Sequence, residues 1–267
     1  MTVELKLLGT GAGPGVPAFY CDCIACKEAK EKPQLARTRS GAVIDTGEER
    51  ILIDASPDLR SQLVKEQIKS LDYLFITHWH YDHFGGIGDL EFYIKLSRKQ
   101  PLRLFLPPSA VDEFQSAYPF LNDVFEIGTW EFERSYQFGE AKLTVLPARH
   151  SIQTAGILLE AEKRVAYFTD TSGLPESSAE KIQSVDTLIC DATFHGENWY
   201  PHSHMSIEEA IELGHKVKAE QTILTHLAMH YSSPTTVAQI EEELRSYPKV
   251  SVAYDGMVIK LTKEIAL

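Results

Sequence analysis

Within six residues, His78-Trp79-His80-Tyr81-Asp82-His83, this chain carries three imidazoles and a carboxylate. They come one residue after the apolar stretch Tyr73-Leu74-Phe75-Ile76, with Thr77 between. That density is enough for two metal ions, and few purely structural needs would produce it. Mixed imidazole and carboxylate donors suit Zn, Mn or Fe better than Ca or Mg. A fold built around this run has to deliver further ligands to it from elsewhere in the chain.

Short apolar runs bounded by Gly, Pro and Asp recur along the sequence and read as strands. Among them are Val3-Leu8, Ile51-Asp54, Tyr73-Thr77, Leu102-Leu106, Leu143-Leu146, Val165-Thr169, Thr187-Cys190, Thr222-Thr225 and Val258-Leu261. Helical patterns lie between some of them. One starts at Ser56-Pro57-Asp58 ahead of Leu59 and Leu63. Another follows the Ser206/Glu209 capping box, and a third carries Val237, Ile240 and Leu244 on one face. No low-complexity linker divides the 267 residues, so the economical expectation is one mixed α/β domain spanning 1–267. The stretch from about Pro107 to Tyr136 is the least regular and reads as a lid or an insertion.

Three further features share one local grammar, an apolar strand, a threonine, then a ligand-type residue: Ile76-Thr77-His78, Phe168-Thr169-Asp170 and Leu224-Thr225-His226. In α/β sheets ligands gather just beyond the carboxyl ends of strands, so strands sharing a direction would bring all three to one rim. His150, after Leu146-Pro147-Ala148-Arg149, stands in a similar strand-exit position. The glycines at 9, 11, 13 and 15 lack the full spacing of a dinucleotide fingerprint and read as a tight loop near that rim.

The signature His78, His80, Asp82, His83, then His150, Asp170 and His226 resembles that of the metallo-β-lactamase-fold hydrolases, over nearly the whole chain. Leu8-Gly9-Thr10-Gly11 and the strand-end Asp54 belong to the same pattern. The resemblance implies a four-layer αββα sandwich with the site along one edge. It also implies that His78, His80 and His150 hold one metal, that Asp82, His83 and His226 hold a second, and that Asp170 bridges them. Two divalent cations, Mn or Zn, would bring the pKa of a bridging water towards neutrality and stabilise charge on a phosphoryl or carbonyl oxygen. Hydrolysis is the expected outcome. Asp82 is expected to serve as a ligand and to orient the nucleophile.

The thiols of Cys21, Cys23 and Cys26 are crowded as thiols that bind metal are, and a tetrahedral structural Zn needs one more ligand. His230, His195 and His202 are the candidates, with His230 favoured because it lies four residues beyond His226. Cys190 reads as a core residue. The segment Val16-Pro17-Ala18-Phe19-Tyr20-Cys21-Asp22-Cys23-Ile24-Ala25-Cys26, with Arg39-Ser40-Gly41 and Asp170-Thr171-Ser172-Gly173-Leu174-Pro175-Glu176, resembles the cyclic-phosphoribosyl phosphodiesterases of phosphonate degradation. That likeness implies hydrolysis of 5-phosphoribosyl 1,2-cyclic phosphate to ribose 1,5-bisphosphate. It also implies a zinc-binding histidine near His226, although the step to His230 is one residue longer than in that group. It makes His204, just ahead of the capping Ser206, the expected general acid, with His202 as the alternative. Arg37, Arg39 and Arg149 are candidates for binding the substrate.

A net charge of -12 argues against a broad grip on nucleic acid and fits a small anionic phosphodiester whose charge is met by metals. A transfer-RNA-processing endoribonuclease is the first alternative and a thioester hydrolase the second. The start of the chain lacks the basic and apolar pattern of a leader and no run is long enough for a membrane span, so the cytoplasm is the expected compartment. Monomer and homodimer are both compatible with the sequence.

Overall fold

The computed structural model describes residues 2–231 and 233–262. Seven strands form each of two sheets. The first contains β1 (Glu4–Gly9), β2 (Gly41–Asp45), β3 (Arg50–Ile53), β4 (Tyr73–Phe75), β5 (Leu102–Leu106) and β6 (Phe125–Thr129). The second contains β7 (Ser135–Phe138), β8 (Ala141–Ala148), β9 (Thr154–Glu160), β10 (Arg164–Phe168), β11 (Thr187–Asp191), β12 (Gln221–Thr225) and β13 (Val250–Val252). A last strand, β14 (Val258–Lys260), returns to the first sheet, so the orders are β14-β1-β2-β3-β4-β5-β6 and β13-β12-β11-β10-β9-β8-β7.

Each sheet is antiparallel on one side and parallel on the other, the parallel runs being β3 to β6 and β10 to β13. Parallel strands are covered on both faces, which is why residues 51–53 of β3, Tyr73–Phe75 of β4 and residues 104–106 of β5 read as continuous apolar runs rather than alternating ones. Alternation still sorts the side chains. Ile51, Ile53, Phe75 and Phe105 face the second sheet and meet Leu143, Val145, Ile157 and Tyr167. Leu52, Leu74 and Leu104 face outward onto Leu59, Ile87, Leu90 and Phe114. On the far side Leu188, Cys190 and Leu224 meet Ala179, Ala210, Ile211 and Ile240 from helices Glu176–Lys181, Ile207–Lys216 and Val237–Glu243. Three apolar layers between four layers of elements make the αββα sandwich expected from the resemblance.

Two local readings differ. The stretch 107–136 forms neither a lid nor an insertion. It supplies the helix Val111–Ala117 and the edge strand β6, and it buries Phe114, Leu121 and Trp130. Its irregular appearance comes from several short elements in succession. The helix expected from Ser56 begins later, at Leu59, after a turn in which the Ser56 hydroxyl accepts from the Asp58 N–H at 3.3 Å and the Asp58 carboxylate accepts from Arg39. The Ser206/Glu209 capping box is present as expected, with the Ser206 hydroxyl accepting from the Glu209 N–H.

Candidate dinuclear metal centre

The parallel strands of both sheets exit at one rim, and the ligand-type residues follow within three residues of each exit. His78 follows β4, Asp170 follows β10 and His226 follows β12. The backbone turns sharply there. Asp54 and His226 hold left-handed conformations at φ 63° and 58°, which non-glycine residues rarely adopt unless their surroundings impose it. Trp130 pins one exit by donating its indole N–H to the Ile76 carbonyl at 2.8 Å.

The side chains converge. Asp170 Oδ2 lies 3.0 Å from His83 Nε2 and 3.3 Å from His226 Nε2, and its Oδ1 lies 3.9 Å from His78 Nε2. Asp82 Oδ2 sits 3.7 Å from His83 Nε2 and 3.8 Å from His226 Nε2. His150 Nε2 faces His80 Nδ1 at 3.2 Å, while His150 Nδ1–H is committed to the Ser203 carbonyl at 2.7 Å. Donor atoms of His78, His80 and His150 gather within 4.8 Å of one another, as do those of Asp82, His83 and His226, with Asp170 between the two trios.

A second set of contacts fixes which ring nitrogen faces inward. Asp54 accepts from the backbone N–H and hydroxyl of Thr77 at 2.7 and 2.9 Å. That hydroxyl is therefore free to accept, and His78 Nδ1–H donates to it at 3.0 Å. His83 Nδ1–H donates to Asp54 directly at 2.7 Å. The second sheet repeats the device. Asp191 accepts from the N–H and hydroxyl of Thr193, and His226 Nδ1–H donates to that hydroxyl at 2.8 Å. His204 Nδ1–H donates to Asp191 at 2.7 Å. In each half a strand-end carboxylate orients two imidazoles, one directly and one through a threonine.

The metal-ligand chemistry can be tested on what remains unpaired. Nε2 of His78, His83 and His226 and Oδ2 of Asp170 are buried with no hydrogen-bond partner. Burying that many polar atoms unpaired is costly, and a cation shared among them removes the cost. The donor set of imidazole and carboxylate fits zinc or manganese. Without a cation the charges are badly placed. Burial and the neighbouring His83 hold the His78 imidazole well below its usual pKa, whereas for His83 the carboxylates of Asp170, Asp54 and Asp82 outweigh burial and raise it well above.

The three thiols also meet. Cys23 precedes the helix Ile24–Glu31 and Cys26 lies in its first turn, so the pair stands on one side with Cys21 beside them. His230 Nδ1 lies 3.7 Å from Cys26 Sγ, close to the donor spacing of about 3.8 Å in a tetrahedral thiolate site. Between His226 and His230 the backbone turns through Met229, in a left-handed conformation at φ 56°. His195 is elsewhere, between the Ser233 carbonyl and Glu243, and His202 is exposed.

A cleft of about 440 Å³ opens over the Asp170 side of the centre. His80, Asp82, Asp170, His204 and His226 form its floor, and Ala12, Gly13 and Pro14 one side. A Cβ on Gly13 would stand 3.1 Å from Asp82 Oδ2, so the opening glycine loop does abut the site. His204 Nε2 meets no hydrogen-bond partner among the described residues. Burial works against its charge, but Asp191, with Asp170 and Asp82 further off, outweighs it and pushes the imidazole up to about 9.

The three arginines expected to bind substrate do not line this cleft. Arg37 is buried on its far side, donating to Thr10 and the Ala253 carbonyl. Arg39 holds the Gly13 carbonyl and Asp58. Arg149 lines a separate hollow with Ser172 and Glu212. Conversely, Asp191 and Thr193 were not anticipated, although Ile189-Cys190-Asp191 shows the same strand-end pattern as the other exits.

The family model described as "Beta-lactamase superfamily domain" matches residues 49–227, well over half of the chain and every residue from Asp54 to His226. The chain belongs to this family. Proteins of the metallo-β-lactamase fold typically hold divalent metals such as zinc, in keeping with the His/Asp clusters here. An octanoyltransferase of Porphyromonas gingivalis is 29% identical over 259 residues, covering 94% of this chain and 50% of that protein. The chain thus spans about half the length of that relative. A structure described as a new diphosphatase from the PhnP family superposes with a TM-score of 0.84 at 24% identity, covering 96% of this chain and 97% of the other. Zn-bound PqqB from Methylobacterium extorquens gives a TM-score of 0.76 at 20% identity, covering 96% and 99%. These two likenesses are of fold. Among the described residues no helix is long and apolar enough to cross a membrane.

Proposed function

We propose that this protein is a metal-dependent phosphodiesterase acting on a small cyclic phosphodiester. The observation that carries the reading is His204, an imidazole held by Asp191 beside the metal-ligand cluster with Nε2 facing the cleft. An ester alkoxide is a poor leaving group without a proton, and a positioned imidazolium supplies one. When bound at the two trios, divalent cations supply Lewis acidity that acidifies water and draws charge from the phosphoryl oxygens.

The residues then divide the work. Asp82 and Asp170, with the histidine trios, would hold the cations that meet the charge of the phosphate, and Asp82 is placed to orient the attacking water. The water oxygen joins phosphorus, and the P–O bond to one ester oxygen breaks with its electron pair. That oxygen takes the His204 proton, and a proton of the attacking water passes to solvent. Asp191 keeps the His204 ring in the tautomer that offers Nε2–H. The product of a cyclic diester is a single monoester. The likeness to cyclic-phosphoribosyl phosphodiesterases supports a cyclic diester as the bond that is cut. The fold neighbour described as a diphosphatase supports phosphorus as the site of attack.

A second reading, thioester hydrolysis, draws on the octanoyltransferase relative and on the absence of Lys and Arg from the described cleft lining. Metal-reconstituted protein with Mn or Zn separates the two. Turnover of bis(p-nitrophenyl) phosphate and 2′,3′-cyclic nucleotides is expected. Thioester turnover with no diesterase activity under any divalent metal would rule the first reading out.

A further inference from the structure

The wall of the cleft above His204 is aromatic. Phe194 lies at its base, buried, with Trp199 at 6.1 Å and Tyr231 at 5.8 Å between ring centroids. Trp199 and Tyr231 stack on each other at 5.7 Å and 29°, and Phe194 reaches the His204 ring at 6.4 Å. Trp199 and Tyr200 nonetheless remain 52% and 64% exposed. Such rings at a cleft mouth, over a reactive centre, offer flat apolar area that only a ligand would cover.

The loop 195–205 that carries them is built, not slack. Its two ends are joined by the Phe194 N–H to the Met205 carbonyl and the Ile207 N–H to the Phe194 carbonyl. Inside it, the Asn198 amide donates to the His204 carbonyl at 2.9 Å, and the Tyr200 N–H donates back to Asn198. The Tyr200 carbonyl accepts from the N–H groups of Ser203 and His204. The Trp199 and Tyr200 rings and His204 are therefore carried by one hydrogen-bonded loop.

Charge narrows the ligand. The described lining contains no Lys or Arg, so the cleft offers no side-chain cation for a phosphate remote from the metal trios. A phosphorylated sugar would leave its second phosphate unmatched. A ligand with one phosphorus centre at the floor and one flat group on the wall leaves nothing unmatched, and the volume of about 440 Å³ suits a single nucleotide.

We infer that Trp199, Tyr200 and Tyr231, backed by the buried Phe194, bind the nucleobase of a mononucleotide-sized phosphoester while its phosphorus lies over the metal-ligand cluster around Asp170. This rests on the phosphoesterase reading for the reaction but makes a separate claim about recognition. Stacking of a base on such rings contributes on the order of tenfold or more in affinity.

Calorimetry on metal-loaded protein tests it with adenosine 5′-monophosphate, ribose 5-phosphate and octyl phosphate. The nucleotide is expected to bind at least about tenfold more tightly than either other ligand. Trp199→Ala should collapse that preference, and Trp199→Phe, which keeps a ring, should retain most of it. Absent or equal binding of the nucleotide, octyl phosphate binding as tightly, or a preference untouched by Trp199→Ala overturns the inference. A pentaadenylate binding more tightly than the mononucleotide overturns it too, by making the ligand a polymer. Cyclic nucleotide turnover is scored separately. Base preference without turnover removes only the hydrolase reading, and turnover without base preference removes only this one.

Discussion

Asp191 Oδ2 lies 2.7 Å from His204 Nδ1, and the same carboxylate receives the Thr193 hydroxyl that orients His226. One buried strand-end carboxylate therefore serves both the candidate acid and a candidate metal ligand. His204→Ala should slow diester cleavage by about 10²- to 10⁴-fold with metal content unchanged. Steady-state kinetics beside elemental analysis decides this, and wild-type rates in the variant would remove the acid role.

The pH profile carries a sign. Asp191 favours the His204 imidazolium, which delivers its proton at pH below its pKa in the metal-loaded protein, and the rate falls as pH rises through that pKa. Asp191→Asn removes the charge that favours imidazolium, while burial, which disfavours it, stays. The alkaline limb should move to lower pH. Bound cations repel the imidazolium in both proteins, so the comparison between them keeps its direction. A limb that stays in place would mean that another group sets it.

Much of this centre can be read in the sequence because its ligands obey a local rule. His78, Asp170 and His226 each stand just past an apolar strand, and parallel strands bring such exits together. Asp191 obeys the rule as well but lacks a cue from its neighbours. Its partner His204 is thirteen residues away, across a loop whose shape depends on the Asn198 contacts. The placement of Arg37 is hidden for a different reason. Nothing near Arg37 announces that its guanidinium turns inward to Thr10 and Ala253, because those partners come from opposite ends of the chain. The aromatic wall has the same origin, with Tyr231 arriving from beyond β12 to stack on Trp199.

Thr193→Val keeps shape and deletes one hydroxyl. His226 Nδ1–H then loses its acceptor and nothing holds the ring's tautomer. Outer contacts of this kind typically govern metal affinity by roughly 10- to 100-fold. A chelator-competition titration should show weakening in that range, and Thr77→Val should do the same through His78. Unchanged affinity in both would mean that the threonines only pack.

Two separate metal stores are expected. Asp170→Ala removes the carboxylate between the two trios and should empty them, leaving one zinc per chain. Cys23→Ser should lose that one zinc and keep the pair. Equal loss of all metal from both variants would contradict the separation.

Gly156 looks like a strand breaker within Thr154–Glu160, yet the sheet requires it. A Cβ there would stand within 2.0 Å of the Phe168 ring, which is almost fully buried and cannot swing aside. Gly156→Ala should therefore destabilise the fold by about 1–3 kcal/mol, the usual cost of overpacking a filled core. Phe168 ends β10 two residues before Asp170, so a ring forced to move shifts the exit that carries the bridging carboxylate. Stability and metal affinity should fall together. Gly88→Ala, where a Cβ meets nothing within 4 Å, serves as the control and should change stability by no more than about 0.5 kcal/mol. Urea midpoints measured beside metal titrations separate the outcomes. A stable Gly156→Ala protein with intact metal binding would show that the β9–β10 pair can open without disturbing the centre.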